Sequence, residues 1–461
     1  MMFPMQINEL RAKHPRLIYK NYTLHPIESK LRVEYEFLLE PDLLFHPQVI
    51  IPLNHVKIDA AVNNLIFQLG LVELISYWKA ACPREIVVAA GSLTSEQITW
   101  WQDLFLSGLG EFFYRNQIDF TTPDFLHISS TQTTANPLPI LALTTSERDL
   151  ILVGGGKDSA VTLSLLKTSG RDLATLILNP TRAAKDNVRL SGLGPPLVVE
   201  RTLDPQLLHL NNLGYLNGHT PFSAYLAFLG MLVAQLNRFT SVVAANENSA
   251  NECNLIFKGR KINHQYSKTY EFENKFRTYA QAFLTGASQY FSFLRPLNEL
   301  QISRLFATLP QFFPSFRSCN VGSKTDSWCG RCAKCAFIYL SLSPFLTSQE
   351  LQRIFNRNLF TDPQIGGYIK DLVGLTNTKP FECVGTREES ILALGLTLKK
   401  YRQLGLPLPT LLTNLEKQLK LTPAKVDQLT PLILNAFSDK HFLPTSHRAL
   451  LEAAVHQQLK L

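Results

Sequence analysis

The chain of 461 residues is 45% hydrophobic and 10% aromatic, and 45 Lys and Arg outnumber 37 Asp and Glu for a formal charge of +8. That length excludes a single ordinary domain, and the apolar share supplies ample core for two or three. The positive excess suits an anionic partner, although a surplus this modest can also serve solubility alone.

Residues 1–24 carry Lys13, Arg16 and Lys20 and no long apolar core, so no signal peptide is expected. Residues 1–145 read as a separate α+β module. Leu31 to Leu39 alternates charged and apolar residues, as a half-buried antiparallel strand does, and Pro47 to Leu53 is its candidate partner. Ala61 to Trp78 reads as a helix, Ile86 to Ala90 as a short strand and Ser95 to Leu109 as a second helix. Glu73, Tyr77, Trp78 and Lys79, with Trp100 and Trp101, form an aromatic stripe that is more often core than a substrate platform. Thr131 to Leu141, with Pro137 and Pro139, reads as a linker.

From 148 to 300 strand and helix alternate. Strands are expected at Leu150–Val153, Leu173–Leu178, Leu197–Arg201, Ser241–Ala245 and Tyr290–Leu294. Helices are expected at Ser159–Lys167, Ala183–Leu190 and Pro221–Asn237. This rhythm implies an α/β domain, with a parallel sheet, right-handed crossovers and ligands beyond the carboxyl ends of the strands. Thr220 to Asn237 is the most apolar uncharged run. It is short for a bilayer, so a helix buried against a sheet is expected and no membrane span.

The first strand of that series runs straight into Gly154-Gly-Gly-Lys-Asp-Ser159. Glycines let backbone N–H groups approach a phosphate, and a helix N-terminus adds partial positive charge. The segment is not a Walker A loop, because Ile151 stands where its first glycine should be and Asp158 replaces its hydroxyl residue. It is not G-x-G-x-x-G either, because Ser159 takes the place of the last glycine. A bare strand-to-helix turn would give an Asp-Ser pair after three glycines no packing purpose.

Asn246 to Asn251, including Ser249, follows an apolar strand and is dense in amides and hydroxyls. It can contact adenine, ribose or a magnesium-bound water, and it fits an ordinary polar turn equally well. Lys258 to Lys268 carries four cations and His264 without an acid. Such runs are commonly solvated loops, but this one follows the polar strand end closely. His264 and Lys268, four apart, would share a helix face, and either can act as a general base if tuned towards neutrality.

Cys319, Cys329, Cys332 and Cys335 are spaced C-x9-C-x2-C-x2-C, the signature of a four-thiolate metal site. A filled site has no open position, so zinc there would be structural and would contribute roughly 10–16 kcal/mol to folding. An iron–sulfur cluster is the alternative. Arg317, Lys324, Arg331 and Lys334 could offset the thiolate charge. Four clustered cysteines out of seven indicate metal rather than disulfides, and with them a cytoplasmic protein. No Lys/Arg block is long enough for a nucleic-acid tail, which disfavours that partner and leaves it open. Leu398 to Leu461 reads as helical, with breaks at Pro407, Pro409, Pro423, Pro431 and Pro444.

The glycine loop resembles the S-G-G-x-D-S loop of the PP-loop ATP pyrophosphatases, with Gly154 in place of the first serine. Taken with the four cysteines, the chain resembles two groups of that superfamily. The 7-cyano-7-deazaguanine synthases share the cysteine arrangement but are much shorter. The UDP-N-acetyl-muramoyl-L-alanyl-L-glutamate epimerases are similar over far more of the chain. That similarity covers Glu73–Lys79, Gly154–Ser159, Asn263–Lys268, Ser318–Asn320, Cys329–Cys335 and Pro380–Gly385.

The second resemblance implies a PP-loop (HUP-like) parallel sheet with flanking helices over 146–345, carrying the four-cysteine zinc segment, and a mainly helical region over 346–461. It implies ATP-dependent inversion of the terminal L-glutamate of a UDP-linked muramoyl dipeptide through a carboxyl adenylate, releasing AMP and pyrophosphate. Gly154, Gly155, Gly156 and Ser159 would then hold the leaving pyrophosphate, with Asn246 and Ser249 beside the nucleotide. Asp158 would orient Mg2+, and Lys157 would add charge. The acid/base pair stays open among His264, Lys268, Tyr266, Glu247 and Cys253. The alternatives are a nucleobase- or tRNA-modifying enzyme of the deazaguanine synthase type and a non-catalytic ATP-binding regulator.

Overall fold

The structure, a computed structural model, describes residues 6–53, 58–132, 147–284, 288–322 and 325–459. Most of the expected linker, Thr131 to Leu141, and the expected boundary at 145 lie outside the described residues, as does Lys324.

The strands, in chain order, are β1 (Arg16–Ile27), β2 (Lys30–Leu39), β3 (Leu43–Phe45), β4 (Gln48–Pro52), β5 (Glu85–Ser92), β6 (His127–Gln132), β7 (Arg148–Leu152), β8 (Asp172–Leu178), β9 (Leu197–Thr202), β10 (Ser241–Ala244), β11 (Leu255–Phe257), β12 (Arg260–Ile262) and β13 (Gln289–Ser292). Eleven of them make one sheet in the order β13-β10-β7-β8-β9-β4-β2-β1-β5-β6, with β3 paired to β2. The β13-to-β9 half is parallel throughout. β1 and β2 pair antiparallel, as do β2 and β4, while β1, β5 and β6 run parallel. The two halves meet where β4 pairs antiparallel with β9, placing Gln48 opposite Thr202.

The alternation expected from Leu31 to Leu39 buries every second residue of β2, and its register sets Leu31 against Ile51 and Val33 against Val49. The parallel strands instead bury both faces, so they read as unbroken apolar runs. Leu150 of β7 and Val242 of β10 join the core on one face, and Ile151 and Val243 join the core on the other. The first core is roofed by the helices Ala60–Trp78 and Phe222–Asn237, which pack against each other. The helix Ala60–Trp78 is long and apolar enough to cross a membrane, but 83% of its apolar window is buried in this core. The stripe before Lys79 is structural. Glu73 takes a bidentate pair from Arg201 at 2.6 and 2.8 Å, and the Trp78 indole donates to the Pro83 carbonyl.

The second core lies under the helix Lys157–Leu166 and the helices of the C-terminal third. Pro431, expected as a break, sits inside the helix Pro423–Leu434, and Pro423 occupies its first turn, where a missing N–H costs nothing. The last helix, Thr445–Leu459, is tied to the sheet by a buried contact. His447 Nε2 and Asp149 Oδ2 lie 2.9 Å apart, and Arg171 grips the same carboxylate at 2.7 and 3.0 Å.

Candidate functional site

β7 ends at Leu152, and the helix Lys157–Leu166 begins five residues later with Gly156 as its N-cap. No side chain among the described residues caps this helix, so its first N–H groups are offered to whatever lies in front of them. Gly155 sits at φ 85°, and a Cβ there would lie 2.6 Å from the Ala184 backbone nitrogen. The loop is held from two sides. The Arg317 N–H donates to the Gly155 carbonyl at 2.9 Å, and Asn187 Nδ2 donates to the Gly156 carbonyl at 3.1 Å. The Gly154 N–H donates to Ser159 Oγ at 3.1 Å. Gly154 itself has nothing within 4 Å of an added Cβ among the described residues. Two substitutions should therefore part sharply. Gly155→Ala should cost about 1–3 kcal/mol for its forced backbone and its clash, whereas Gly154→Ser should stay within about 0.5 kcal/mol. Equal melting temperatures for the two variants would contradict this account of the loop.

The loop opens on a cleft of about 330 Å3 beyond the carboxyl ends of β7 and β10. Gly154, Gly156, Asp158, Ser159 and Asn246 line it together with Lys268, Lys334, Glu382, Cys383 and Ser318–Asn320. Beside the loop, one carboxylate oxygen each from Asp158, Glu247 and Glu299 lies within 4.8 Å of the others. The Lys157 ammonium, almost fully buried, pairs with both Asp158 and Glu299. Burial would raise the Asp158 carboxyl, but Lys157, Lys334 and Lys268 together outweigh it and hold the group below its ordinary value. Burial raises Glu247 and Glu299 in spite of their lysine neighbours. Glu247 Oε2 is buried with no hydrogen-bond partner among the described residues. Hard oxygen ligands crowded around an unsatisfied carboxylate suit a divalent cation such as Mg2+.

A second cluster faces this one. His264 Nδ1 and Glu111 Oε2 share a hydrogen bond of 2.5 Å, and the same imidazole interacts with Cys383. Burial would lower the imidazole, but Cys383 and Glu111 push it up to about 9. Burial would likewise raise the Cys383 thiol, but the Lys268 ammonium and His264 outweigh it and bring it to about 6. Near neutrality this is a thiolate–imidazolium pair backed by a carboxylate.

The four clustered thiols fit a metal. Sulfur–sulfur distances are 3.7 Å for Cys319–Cys332, 3.7 Å for Cys329–Cys335 and 3.6 Å for Cys332–Cys335. A tetrahedron with Zn–S bonds of about 2.3 Å has edges of about 3.8 Å. Lys334, expected to offset thiolate charge, turns away and donates to the Cys383 carbonyl. Arg317 Nε donates to the Asp326 carbonyl.

The expected site residues thus separate. Gly154, Gly156, Asp158, Ser159, Asn246 and Lys268 meet in one cleft, with Cys319 on its wall. Lys157 lies beneath it, and Gly155 faces the Ala183–Ala184 backbone. Ser249 Oγ accepts the Glu299 N–H at 2.9 Å, so it places a carboxylate. The Tyr266 hydroxyl donates to Asp103. His264 and Lys268 share no helix face; only a short 3-10 turn, Tyr266–Lys268, joins that segment, and both act on Cys383. Of the basic run, Lys258, Arg260 and Lys261 are solvent-exposed, whereas the Lys268 side chain lines the cleft. Glu299, Glu111 and Cys383 carried no signal as site groups in the sequence; only the Pro380–Gly385 similarity touched one of them.

Two family models match the chain: the MurL N-terminal domain over residues 8–293 and the MurL C-terminal domain over 315–423. Three curated relatives share the printed name UDP-N-acetyl-alpha-D-muramoyl-L-alanyl-L-glutamate epimerase. The Micromonospora sp. protein is 37% identical over 345 residues, covering 73% of this chain and 75% of its own. The Salinispora tropica protein is 37% identical over 342 residues, with 73% and 74% covered. The Xanthomonas oryzae pv. oryzae protein is 36% identical over 343 residues, with 73% and 75% covered.

Proposed function

This chain belongs to the MurL family, and on that premise we propose that it is an ATP-dependent epimerase of the PP-loop type. In this reading it inverts the terminal L-glutamate of UDP-N-acetylmuramoyl-L-alanyl-L-glutamate by way of a carboxyl adenylate. The family and the names of its curated relatives support the epimerase role. One observation supports the adenylation chemistry. An uncapped helix start behind a glycine loop, a three-carboxylate cluster beside that loop, and the ionisable groups Lys268 and Cys383 come together at one cleft.

The chemistry needs all three. A Cα–H beside a free carboxylate is a very weak acid, because its removal puts two charges on adjacent atoms. Adenylation cancels the carboxylate charge, and the Cα proton becomes far more acidic. The Gly154–Ser159 N–H groups and the Ser159 hydroxyl would hold the leaving pyrophosphate. Asp158, with Glu247 and Glu299, would hold Mg2+, which neutralises phosphate charge when bound. Asn246, which lines the cleft, would face the nucleotide. Cys319, Cys329, Cys332 and Cys335 would hold a structural zinc at the edge of the cleft, where Cys319 forms part of the wall.

The test is stereochemical. Incubated in deuterated water with ATP and the L-glutamate substrate, the protein should form AMP and pyrophosphate, and the hydrolysed product should contain D-glutamate labelled at Cα. A product that stays L and unlabelled would sink the reading.

A further inference from the structure

We propose that the Cys383 sulfur is one of the two proton carriers at the glutamate Cα, and that Lys268 and His264 position and charge it for that task. This rests on the epimerase reading above.

Position comes first. Cys383 lines the same cleft as Asp158 and Ser159, so a carboxylate activated at the glycine loop shares one chamber with this sulfur. The segment that carries it is pinned at three points. Asn254 Nδ2 donates to the Pro380 carbonyl at 2.7 Å, Lys334 Nζ donates to the Cys383 carbonyl, and Gln265 Nε2 donates to the Val384 carbonyl at 3.2 Å. A group that must meet a single C–H bond needs such fixation.

Environment comes second. Cys383 is not one of the four clustered thiols. Cys82, sealed in the apolar core, has its thiol pushed up by burial, whereas Cys383 is brought down by a buried ammonium and by an imidazole that Glu111 backs. A structural cysteine needs no such surroundings; a thiolate working near neutrality does.

The step balances without a further reactant. The sulfur lone pair forms an S–H bond as the Cα–H bond breaks, and the released pair moves into the acyl carbonyl of the adenylate. A second carrier delivers a proton to the opposite face and forms the new Cα–H bond. The Cys383 proton then exchanges with solvent, as does the vacancy on the second carrier.

The test uses the full-length protein and Cys383→Ser, with metal content and melting temperature as checks on folding. The variant should still exchange labelled pyrophosphate into ATP when substrate is present. Its deuterium uptake at Cα and its D-glutamate formation should fall by about 10²–10⁴-fold, the usual worth of a proton-transfer group. Inversion by Cys383→Ser at the wild-type rate would overturn the proposal and leave the epimerase reading standing. Wild-type protein that releases no pyrophosphate and forms no D-glutamate would overturn both. Should the variant not fold, iodoacetamide mapping of the wild type decides. Alkylation of Cys383 ahead of Cys253, slowed by substrate, supports the role, and Cys253 reacting while Cys383 stays intact overturns it.

Discussion

Cys332→Ser is expected to release one equivalent of zinc and to abolish both the local fold and pyrophosphate formation. Cys332 is the N-cap of the helix Ala333–Leu342, and its sulfur lies within 3.7 Å of Cys319 and 3.6 Å of Cys335. A serine oxygen is harder and reaches less far than a thiolate, so three sulfurs would remain around a site that needs four. Zinc binding of this kind is worth about 10–16 kcal/mol, comparable with the whole stability of a domain. The loss also reaches the cleft. Cys319 lies two residues from Arg317, whose N–H holds the Gly155 carbonyl, and Ser318 packs on Gly156. Metal analysis, thermal unfolding and pyrophosphate release should therefore fail together. Wild-type protein with neither zinc nor iron, or a variant with full metal content, would refute this.

Asp158→Ala should behave in the opposite way, with the chemistry lost and the fold kept. The usual hazard of removing a buried acid is an orphaned cation. Here the Lys157 ammonium keeps its pair with Glu299, so the melting temperature should move little. Pyrophosphate release should fall by about 10³-fold, the scale of losing a group that meets phosphate charge in the transition state. Unchanged release would remove Asp158 from the mechanism.

What the sequence disclosed was local. The glycine loop, the cysteine spacing and the strand alternation each lie within a few residues, where spacing alone carries the physics. Groups assembled by tertiary packing were hidden. Glu299 reaches Lys157 from 142 residues away, and Glu111 reaches His264 from 153. Cys383 stood in a segment noticed only for its similarity, and nothing in its neighbours announces Lys268 or His264. The same blindness hid the pairing of β4 with β9, because each strand has an ordinary partner on its other side. Pro431 misled because the helix runs on past it to Leu434 although its missing N–H leaves one i→i−4 hydrogen bond unmade.

That β4–β9 seam bears on how the chain folds. Gln48 must find Thr202 before the two halves become one sheet, and His447 must find Asp149 across 298 residues before the last helix docks. Contacts so distant in sequence demand loop-closure entropy long before they return any stabilisation, which makes folding slow. A nascent chain would expose the edges of β9 and β4 until they meet, and unpaired edges invite pairing with other chains. The join that makes a single sheet in the finished molecule is thus the place where an unfinished one is most open to aggregation.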